Sequence, residues 1–497
     1  MREVVSRAVE KSVVGMVDYD TDQSDLVSTQ CSISTPVNAD LKRGVFVRIG
    51  EEPSYFVAQI IGGPYYSDVK GSSSKAKYVA EISSYIEDGI ERALLSRPSP
   101  GTVVEPAESN EVQRLLGVSG DLHLGSLATE RRFGVTLNVP TMSRHIGVFG
   151  TTGSGKSNTI QVLMEETANQ GFAVMVFDIE GEYVDMNKPT DMLIERLATF
   201  NVKPTGVGDL KVYVPNPSST KKEEAVRFGI KFKDVEKDVF SEVAELNRIE
   251  QLYFKDLIEK IMAVIPESET ISLRAVIDRL AKRLRAQTDN PTLPPIVAEA
   301  HTTLFSKLNI ISDLNMFDVE APSVSMEDVF KAGRISVVDF SDATDYVRNI
   351  VIAELLHKAW KYKIAHPETP KLFIVIEEAH AFISREKRDR MLATLMLLIE
   401  TARRGRKRGL NLGIVTQQPT HLPTELLELC NTRIIHRTNS TANIDVLRES
   451  TGNVPDEMWN TVTSLGRGEA IVSTPQYYSR ALQILVRPCA SKRVATE

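Results

Sequence analysis

A glycine-rich turn carries the clearest chemistry in this sequence. Residues 146–157 read I-G-V-F-G-T-T-G-S-G-K-S and fill the pattern G-x-x-x-x-G-K-[ST], which is typical of a phosphate-binding loop. Backbone N–H groups of such a loop, and the start of the helix that follows, attract phosphate oxygens. Lys156 would reach the β- and γ-phosphates, and the Ser157 hydroxyl would bind Mg²⁺. The candidate residues for ATP and Mg²⁺ are Gly150, Thr151, Thr152, Gly153, Ser154, Gly155, Lys156, Ser157 and Asn158.

Two acids after an apolar run form the second signature. Glu377 and Glu378 follow the run from Leu372 to Ile376, which is the arrangement of a Walker B element. Glu377 would hold the Mg²⁺ shell, commonly through water, and Glu378 would polarise the attacking water. Asp is commoner at position 377, and the longer glutamate makes direct metal ligation less favourable. His380 either couples the nucleotide state to the neighbouring loop or is a structural histidine.

Polar residues also follow two other apolar runs. Asp178, Glu180 and Glu182 come after the buried run from Ala173 to Phe177, where α/β sheets bind ligands. They either orient water or Mg²⁺, or they cap a helix and occupy its first turn. Gln417 follows the strand-like run that ends at Thr416, so we expect it to sense the γ-phosphate or its water.

Two basic clusters follow the Walker B element. One is the charged loop 384–390, with Arg385, Lys387, Arg388 and Arg390, and the other is the run 403–408. Both patterns are common on solvated surfaces and at the C-termini of helices. The chain is acidic overall, so basic clusters directly after the Walker B element allow a second interpretation. Their arginines could neutralise the charge that develops at the γ-phosphate, and such arginines can come from a neighbouring subunit.

The order of apolar patterns divides the chain. Short β-type runs separated by turns over residues 1–140 predict a small β-barrel, with a hairpin around 51–54. Alternating strands and helices over 141–185 and 331–485 predict an α/β core. Helical spacing over 186–330 predicts a mostly helical insertion. The tail, 486–497, is expected to be flexible or to reach a neighbour.

Composition narrows the classes of protein. The net charge of −7 over 497 residues argues against general DNA coating, so any contact with nucleic acid needs a local basic feature. Three scattered cysteines argue against a disulfide framework or a zinc cluster. Since no apolar run approaches a transmembrane length and no signal-peptide core is seen, we expect a cytoplasmic protein with no membrane partner.

Five motifs together resemble the HerA branch of the HerA/FtsK ATPases. They are R-H-I-G-V-F-G-T-T-G-S-G-K-S-N (144–158), D-I-E-G-E-Y (178–183), V-I-E-E-A-H (375–380), A-R-R-G-R-K (402–407) and T-Q-Q-P (416–419). Their order and spacing agree with that family, as do the barrel and the insertion. Glu377, where many relatives have Asp, is a mild departure.

The resemblance implies a RecA-like P-loop NTPase core of the ASCE class, with a HAS-barrel-like N-terminal domain and the sensor strand between the Walker A and Walker B strands. It implies a homohexameric ring that binds ATP at subunit interfaces and threads double-stranded DNA. The family roles fall on Lys156, Ser157, Glu378, Asp178, Glu182, Gln417, Arg144 and Arg403. Which of the two arginines acts across the interface stays open. The loop 384–390 lies where related translocases have a pore loop, so its four basic residues are the candidates for DNA contact.

The resemblance therefore predicts an ATP hydrolase that acts as a DNA translocase or helicase. It also implies a nuclease partner, NurA-like or a defence effector, in DNA-end processing or phage defence. Two alternatives remain: a VirB4-like secretion or conjugation ATPase, and an ATP-binding ring scaffold that organises an effector.

Overall fold

The computed structural model describes residues 13–19, 29–36, 41–67, 75–118, 120–131, 133–264, 270–289, 294–381, 392–477 and 481–494. Its strands form two sheets. The smaller sheet contains β1 (Gly15–Val17), β2 (Gln30–Pro36), β3 (Phe46–Glu51), β4 (Ser54–Ser67), β5 (Lys75–Glu87), β6 (Ile90–Arg92) and β7 (Val103–Pro106).

The smaller sheet closes into a barrel. Its order is β2-β1-β7-β3-β4-β5-β6, and β2 also pairs with β5, so that six of the described strands form a ring. Alternate side chains of β5 are buried, as expected for a strand with one face on a core. The hairpin expected around residues 51–54 joins β3 to β4. The small barrel is thus confirmed.

The larger sheet is α/β in character. Its strands are β8 (Leu122–Leu127), β9 (Gly134–Leu137), β10 (Ile146–Phe149), β11 (Ala173–Asp178), β12 (Asp209–Pro215), β13 (Val226–Phe228), β14 (Arg334–Asp339), β15 (Leu372–Ile376), β16 (Leu410–Thr416), β17 (Thr432–His436), β18 (Glu469–Ser473) and β19 (Ala481–Val486). The order is β13-β12-β14-β11-β15-β16-β10-β17-β18-β19-β8-β9. From β13 to β17 neighbouring strands are parallel, and β17 to β9 pair antiparallel.

This order gathers the motifs at one edge. The strand β16 lies between β10, which leads into the phosphate-binding loop, and β15, which leads to Glu377. Every residue of β10, β11, β15 and β16 is buried, because helices cover both faces of a parallel sheet. The C-terminal ends of these parallel strands therefore meet at one edge, as the resemblance implied.

Helices complete the molecule, with the longest in and after the insertion. They are α1 (Ser109–Leu116), α2 (Val139–Met142), α3 (Lys156–Asn169), α4 (Ile194–Ala198), α5 (Lys237–Val243), α6 (Arg248–Met262), α7 (Leu273–Asp289), α8 (Pro295–Asp313), α9 (Met326–Val329), α10 (Asp345–Ala365), α11 (Leu392–Arg404), α12 (Thr424–Leu429), α13 (Thr441–Ser450) and α14 (Asp456–Thr461). A capping box of Asn247 and Glu250 starts α6. The Thr344 side chain caps α10. Among the described helices, none combines the length and the apolar character that crossing a membrane requires.

The strand pairing crosses two of the boundaries expected from sequence. The strands β8 and β9 lie within 1–140 but extend the larger sheet beyond β19. The strands β12 and β13 lie within 186–330 but extend the same sheet beyond β14. These strands are too short for a sequence pattern to assign them to one sheet or the other. The division into domains stays a prediction.

The tail differs from the expectation of a flexible segment as far as residue 494. Arg487 is buried, and Ser491 is fully buried against α3. Backbone bonds run from Lys492 N to Lys188 O and from Val494 N to Glu182 O. These backbone bonds hold the segment on its own chain, which a terminal position in the sequence does not reveal.

Candidate nucleotide-binding site

The phosphate-binding loop joins β10 to α3, as predicted. Its glycines are needed for space as well as for conformation. Gly150 has φ +152°, and a Cβ there would lie 2.7 Å from the His436 Cβ. Gly155 has φ +120°, and its Cβ would lie 3.1 Å from the Gly468 Cα. Such a tightly packed turn suits a loop whose backbone N–H groups surround a phosphate.

Lys156 lies among the acids that the sequence singled out. Its Nζ donates to Thr151 O at 3.1 Å, within its own loop. Burial lowers the pKa of Lys156, while the nearby Glu378, Glu377 and Glu182 raise it. The structure thus brings the lysine, both Walker B acids and Glu182 to one end of the sheet, although they are far apart in sequence.

Glu378 has the features of a catalytic base. Its backbone is left-handed, with φ +42°, which is uncommon for a residue other than glycine. Its Oε2 lies 3.2 Å from His380 Nδ1 and accepts no hydrogen bond within the described part of the chain. His380 Nδ1 lies 3.1 Å from the Thr416 hydroxyl. These contacts fit both interpretations of His380, which stay open.

Glu377 is held by a residue that the sequence did not single out. The Tyr183 hydroxyl donates to Glu377 Oε1, and both side chains are buried. Burial, aided by Asp178, raises the pKa of Glu377 well above its usual value. A divalent cation would stabilise the charged form of such a carboxylate. Ser157 and Glu377, the predicted Mg²⁺ residues, carry the hydroxyl and carboxylate oxygens that Mg²⁺ prefers.

Asp178 is placed differently from a group that faces substrate. It is fully buried, and its two oxygens accept from the backbone N–H groups of Gly181, Glu182 and Tyr183 at 2.9–3.1 Å. Burial raises the pKa of Asp178, and the adjacent Asp339 adds to the effect. In this arrangement Asp178 shapes the loop that carries Glu182 and Tyr183. Glu180 is exposed, and no side-chain contact with the described residues assigns it a role.

Gln417 lies at the end of β16, beside the phosphate-binding loop. Its Oε1 accepts a 2.6 Å hydrogen bond from the Thr152 hydroxyl. Its backbone O accepts from Asn443 at 3.2 Å. The position agrees with a sensor, because the side chain touches the loop that would surround the phosphates.

Asn158 does not face the loop that precedes it. Its Nδ2 donates to Arg487 O at 2.8 Å, and its Oδ1 accepts from Cys489 N at 2.9 Å. Both ends of the amide thus hold the tail against α3. The tail residues are buried and follow β19, so no motif in the sequence could have indicated this contact.

The segments that carry the two arginines are in contact with each other, but they lie far from the phosphate-binding loop. Arg144 precedes β10, and Arg403 is in the last turn of α11. The intervening His145 donates from Nε2 to Ala402 O at 2.7 Å, which brings these two segments into contact. They lie at the N-terminal ends of β10 and β16, whereas the phosphate-binding loop and Gln417 lie at the C-terminal ends. The four residues of β10 span about 13 Å, at roughly 3.3 Å per residue.

The four candidates for DNA contact, Arg385, Lys387, Arg388 and Arg390, lie outside the described residues. Their role stays a prediction. One further arginine, which the sequence did not single out, lies beside a segment that contacts the phosphate-binding loop. Arg196 is partly buried, and its Nη2 lies 3.6 Å from the position of a Cβ on Gly468, whose N–H donates to Ser154 O. Its position in a short helix of the insertion carries no recognisable signal in sequence.

The fold and this site define a P-loop NTPase. The solved structures that resemble it include VirB4 of Thermoanaerobacter pseudethanolicus, with a TM-score of 0.52 and 14% identity over 74% of this chain and 96% of that chain. The bacterial plasmid coupling protein TrwB in complex with ADP and Mg²⁺ gives a TM-score of 0.51, with 13% identity over 77% of this chain and 92% of that chain. At these identities the similarity shows the fold alone.

The sequence comparisons point to one family. Residues 122–359 match the family described as "Helicase HerA, central domain". The "DNA double-strand break repair helicase HerA" of Sulfolobus acidocaldarius is 26% identical over 381 residues, which cover 76% of this chain and 71% of that protein. The relative of that name in Pyrococcus furiosus is 22% identical over 75% of this chain and 70% of its own length. By these comparisons the protein is similar to HerA-type ATPases.

Proposed function

We propose that the protein hydrolyses ATP at the interfaces of a homohexameric ring and uses the energy to move along double-stranded DNA. The observation that carries this proposal is the separation of two halves of one site. The phosphate-binding loop, Glu378 and Gln417 lie at one edge of the sheet, and Arg144 and Arg403 lie at the other. A second copy of the chain can supply the missing half, and this arrangement repeated around a ring completes every site.

The residues divide the chemistry between them. The loop N–H groups and Lys156 would bind and orient the phosphates, while Ser157 and Glu377 would hold Mg²⁺, which neutralises phosphate charge when bound. Glu378 would accept the proton of the attacking water, since its Oε2 is free of hydrogen bonds within the described residues. Arg144 and Arg403 of the next subunit would stabilise the charge that develops on the transferred phosphoryl group. The strand order, with β16 between β10 and β15, supports a RecA-like core.

The substrate is inferred from the relatives. Several relatives in sequence are named as DNA double-strand break repair helicases. For an acidic chain, contact with DNA must come from local basic residues, for which Arg385, Lys387, Arg388 and Arg390 are the candidates. The resemblance to HerA also implies a nuclease partner. A conjugation ATPase and a ring scaffold remain as alternatives. The similarity to VirB4 and TrwB shows the fold alone and does not decide among the three functions.

The decisive experiment measures the ATPase rate with and without linear double-stranded DNA, together with the mass of the protein in solution. We expect the mass of a ring and a rate that rises severalfold with DNA. A ring whose ATPase rate does not change with DNA would contradict the DNA motor and favour the ring scaffold. A monomer without activity in both conditions would contradict the shared site itself. Glu180→Gln, at an exposed acid near the site, serves as a control that should keep the wild-type rate.

A further inference from the structure

His145 occupies an unusual position for a histidine. Its backbone is left-handed, with φ +54°, and its side chain is 3% exposed. Non-glycine residues adopt this conformation infrequently, and they persist in it where the surrounding contacts impose it. The contacts here come from three directions, because Thr432 N donates to His145 O and the ring contacts both β16 and α11.

Both ring nitrogens of His145 are used. Nε2 donates to Ala402 O at 2.7 Å, and Nδ1 accepts from Leu412 N at 2.9 Å. A neutral imidazole has one donor and one acceptor, which matches these two bonds. Burial lowers the pKa of His145, and the nearby Arg406 adds to this effect, so the neutral form is the one present at neutral pH.

The two partners belong to opposite halves of the shared site. Leu412 lies in β16, a fully buried strand that ends at Thr416 and is followed by Gln417, which touches the phosphate-binding loop. Ala402 lies in the last turn of α11, directly before Arg403. A displacement of β16 along its axis would therefore be transmitted through one imidazole to the arginine segment.

We propose that His145 is a positioning residue that couples the sensor strand of one ATP site to the arginines which serve the neighbouring subunit's site. The inference rests on the proposed function, because it requires Arg144 and Arg403 to act across a subunit interface. A strand buried on all sides is a rigid connection, and packed elements shift between discrete arrangements rather than deform continuously. Occupation of one site would in this way set the arginine positions of the next.

The test compares variants of His145 in the full-length ring. His145→Phe keeps the ring shape and removes both hydrogen bonds, and we expect it to lower kcat by ~10-fold or more with little change in ATP affinity, the loss expected for a transition-state contact that is misplaced. His145→Gln, which keeps a donor and an acceptor, should recover part of the rate. In an Arg403→Ala background, His145→Phe should cost far less, because the arginine that it positions is gone.

A matched control is available in the insertion. His301 is also buried, and its ring nitrogens make no hydrogen bond within the described residues, so His301→Phe should leave kcat unchanged.

If His145→Phe does not assemble, His145→Asn replaces it, because asparagine tolerates the left-handed backbone but is too short to make both contacts. Wild-type kcat in a folded His145 variant, or losses that multiply with Arg403→Ala, would overturn the inference. An inactive wild-type protein would instead refute the proposed function, and an Arg403→Ala variant with the wild-type rate would refute the role of that arginine.

Discussion

The hydroxyl of Thr152 donates a 2.6 Å hydrogen bond to Oε1 of Gln417. The bond joins the phosphate-binding loop to the end of β16, across 265 positions in the sequence. It places a side-chain amide beside the residues that would surround the γ-phosphate. Because the amide also carries two N–H donors, it can bind a phosphate oxygen or a water without moving far.

Replacement of Gln417 should therefore slow turnover more than it weakens binding. For Gln417→Ala we expect kcat to fall by about 100-fold to 1,000-fold, the range for loss of one side-chain donor to the developing charge. Phosphate release and equilibrium binding of a fluorescent ATP analogue measure the two effects separately. Gln418→Ala is the control, since the hydrogen bond of Gln418 to Thr416 comes from its backbone. Equal losses for both variants would argue against a specific sensor.

Glu378→Gln should bind ATP and fail to turn it over. The amide keeps the size of the side chain but cannot accept the proton of water, so we expect kcat to fall by roughly 10²- to 10⁴-fold. Binding should be retained because Lys156 and the loop are untouched. Rapid-quench measurement of one turnover gives the result, with Glu180→Gln as the matched acid variant. Normal hydrolysis by Glu378→Gln would remove this residue from the catalytic role.

Mixed rings test whether the arginines act across the interface. Lys156→Ala rings should be inactive, and Arg403→Ala rings should keep only a small residual rate, for different reasons. In a ring assembled from both variants, an intact loop of one subunit can meet an intact arginine of its neighbour. We expect mixtures to recover a measurable part of the wild-type rate, and the recovery to depend on the mixing ratio. No recovery at any ratio, with mixed assembly verified by mass, would show that the arginine serves its own subunit.

The buried ion pair of the tail makes a prediction on stability. Arg487 donates to Glu165 at 3.0 Å and to Glu166 at 2.8 Å, and its own side chain is almost fully buried. Arg487→Met would leave the Glu165 carboxylate buried without its cationic partner, so we expect a loss of about 3–5 kcal/mol in the free energy of unfolding. Lys492→Met, which removes an exposed pair with Asp191, should change stability little. Urea unfolding of both variants makes the comparison, and similar losses would contradict it.

His436 should make stability depend on pH. It is buried below the phosphate-binding loop, with Nδ1 2.8 Å from Glu469 O and Nε2 2.8 Å from the Thr159 hydroxyl. Burial lowers the pKa of His436 from 6.5 to about 4, and Lys156 adds to the shift. Between pH 6.5 and 4, His436 is therefore protonated in the unfolded chain but stays neutral in the folded protein. Stability from this group is complete above pH 6.5 and is lost as the pH falls towards 4, at up to about 1.4 kcal/mol per pH unit.

His436→Asn should be less stable at pH 7.5 and should respond less to acid than the wild type. Melting temperatures at pH 7.5, 6 and 5 measure both effects. Part of the slope will remain, because burial also lowers the pKa values of His145 and His123. His366→Asn changes an exposed histidine and should leave the slope unchanged. An unaltered slope in His436→Asn would show that this histidine does not carry the effect.

The nucleotide-binding half of the site was accessible from sequence because its motifs are local. The turn around Gly150 and Lys156 needs particular residues at fixed spacing, and so do the acids at Glu377 and Glu378. The small barrel, the hairpin at residues 51–54 and the α/β class followed from short-range patterns of apolar and turn residues. The sequence by itself thus determined the chemistry and the elements that carry it.

Only the tertiary structure decided which distant groups meet. The resemblance implied β16 between β10 and β15, and the assembled sheet then brought the Gln417 side chain into contact with Thr152. In the folded chain Asp178 is buried, Asn158 bonds to the tail, and the Tyr183 hydroxyl bonds to Glu377. None of these contacts has a periodic signal in the sequence. Parallel strands then set the arginines and the phosphate-binding loop at opposite edges. Such contacts depend on how the sheet is assembled, and sequence spacing carries no information on this.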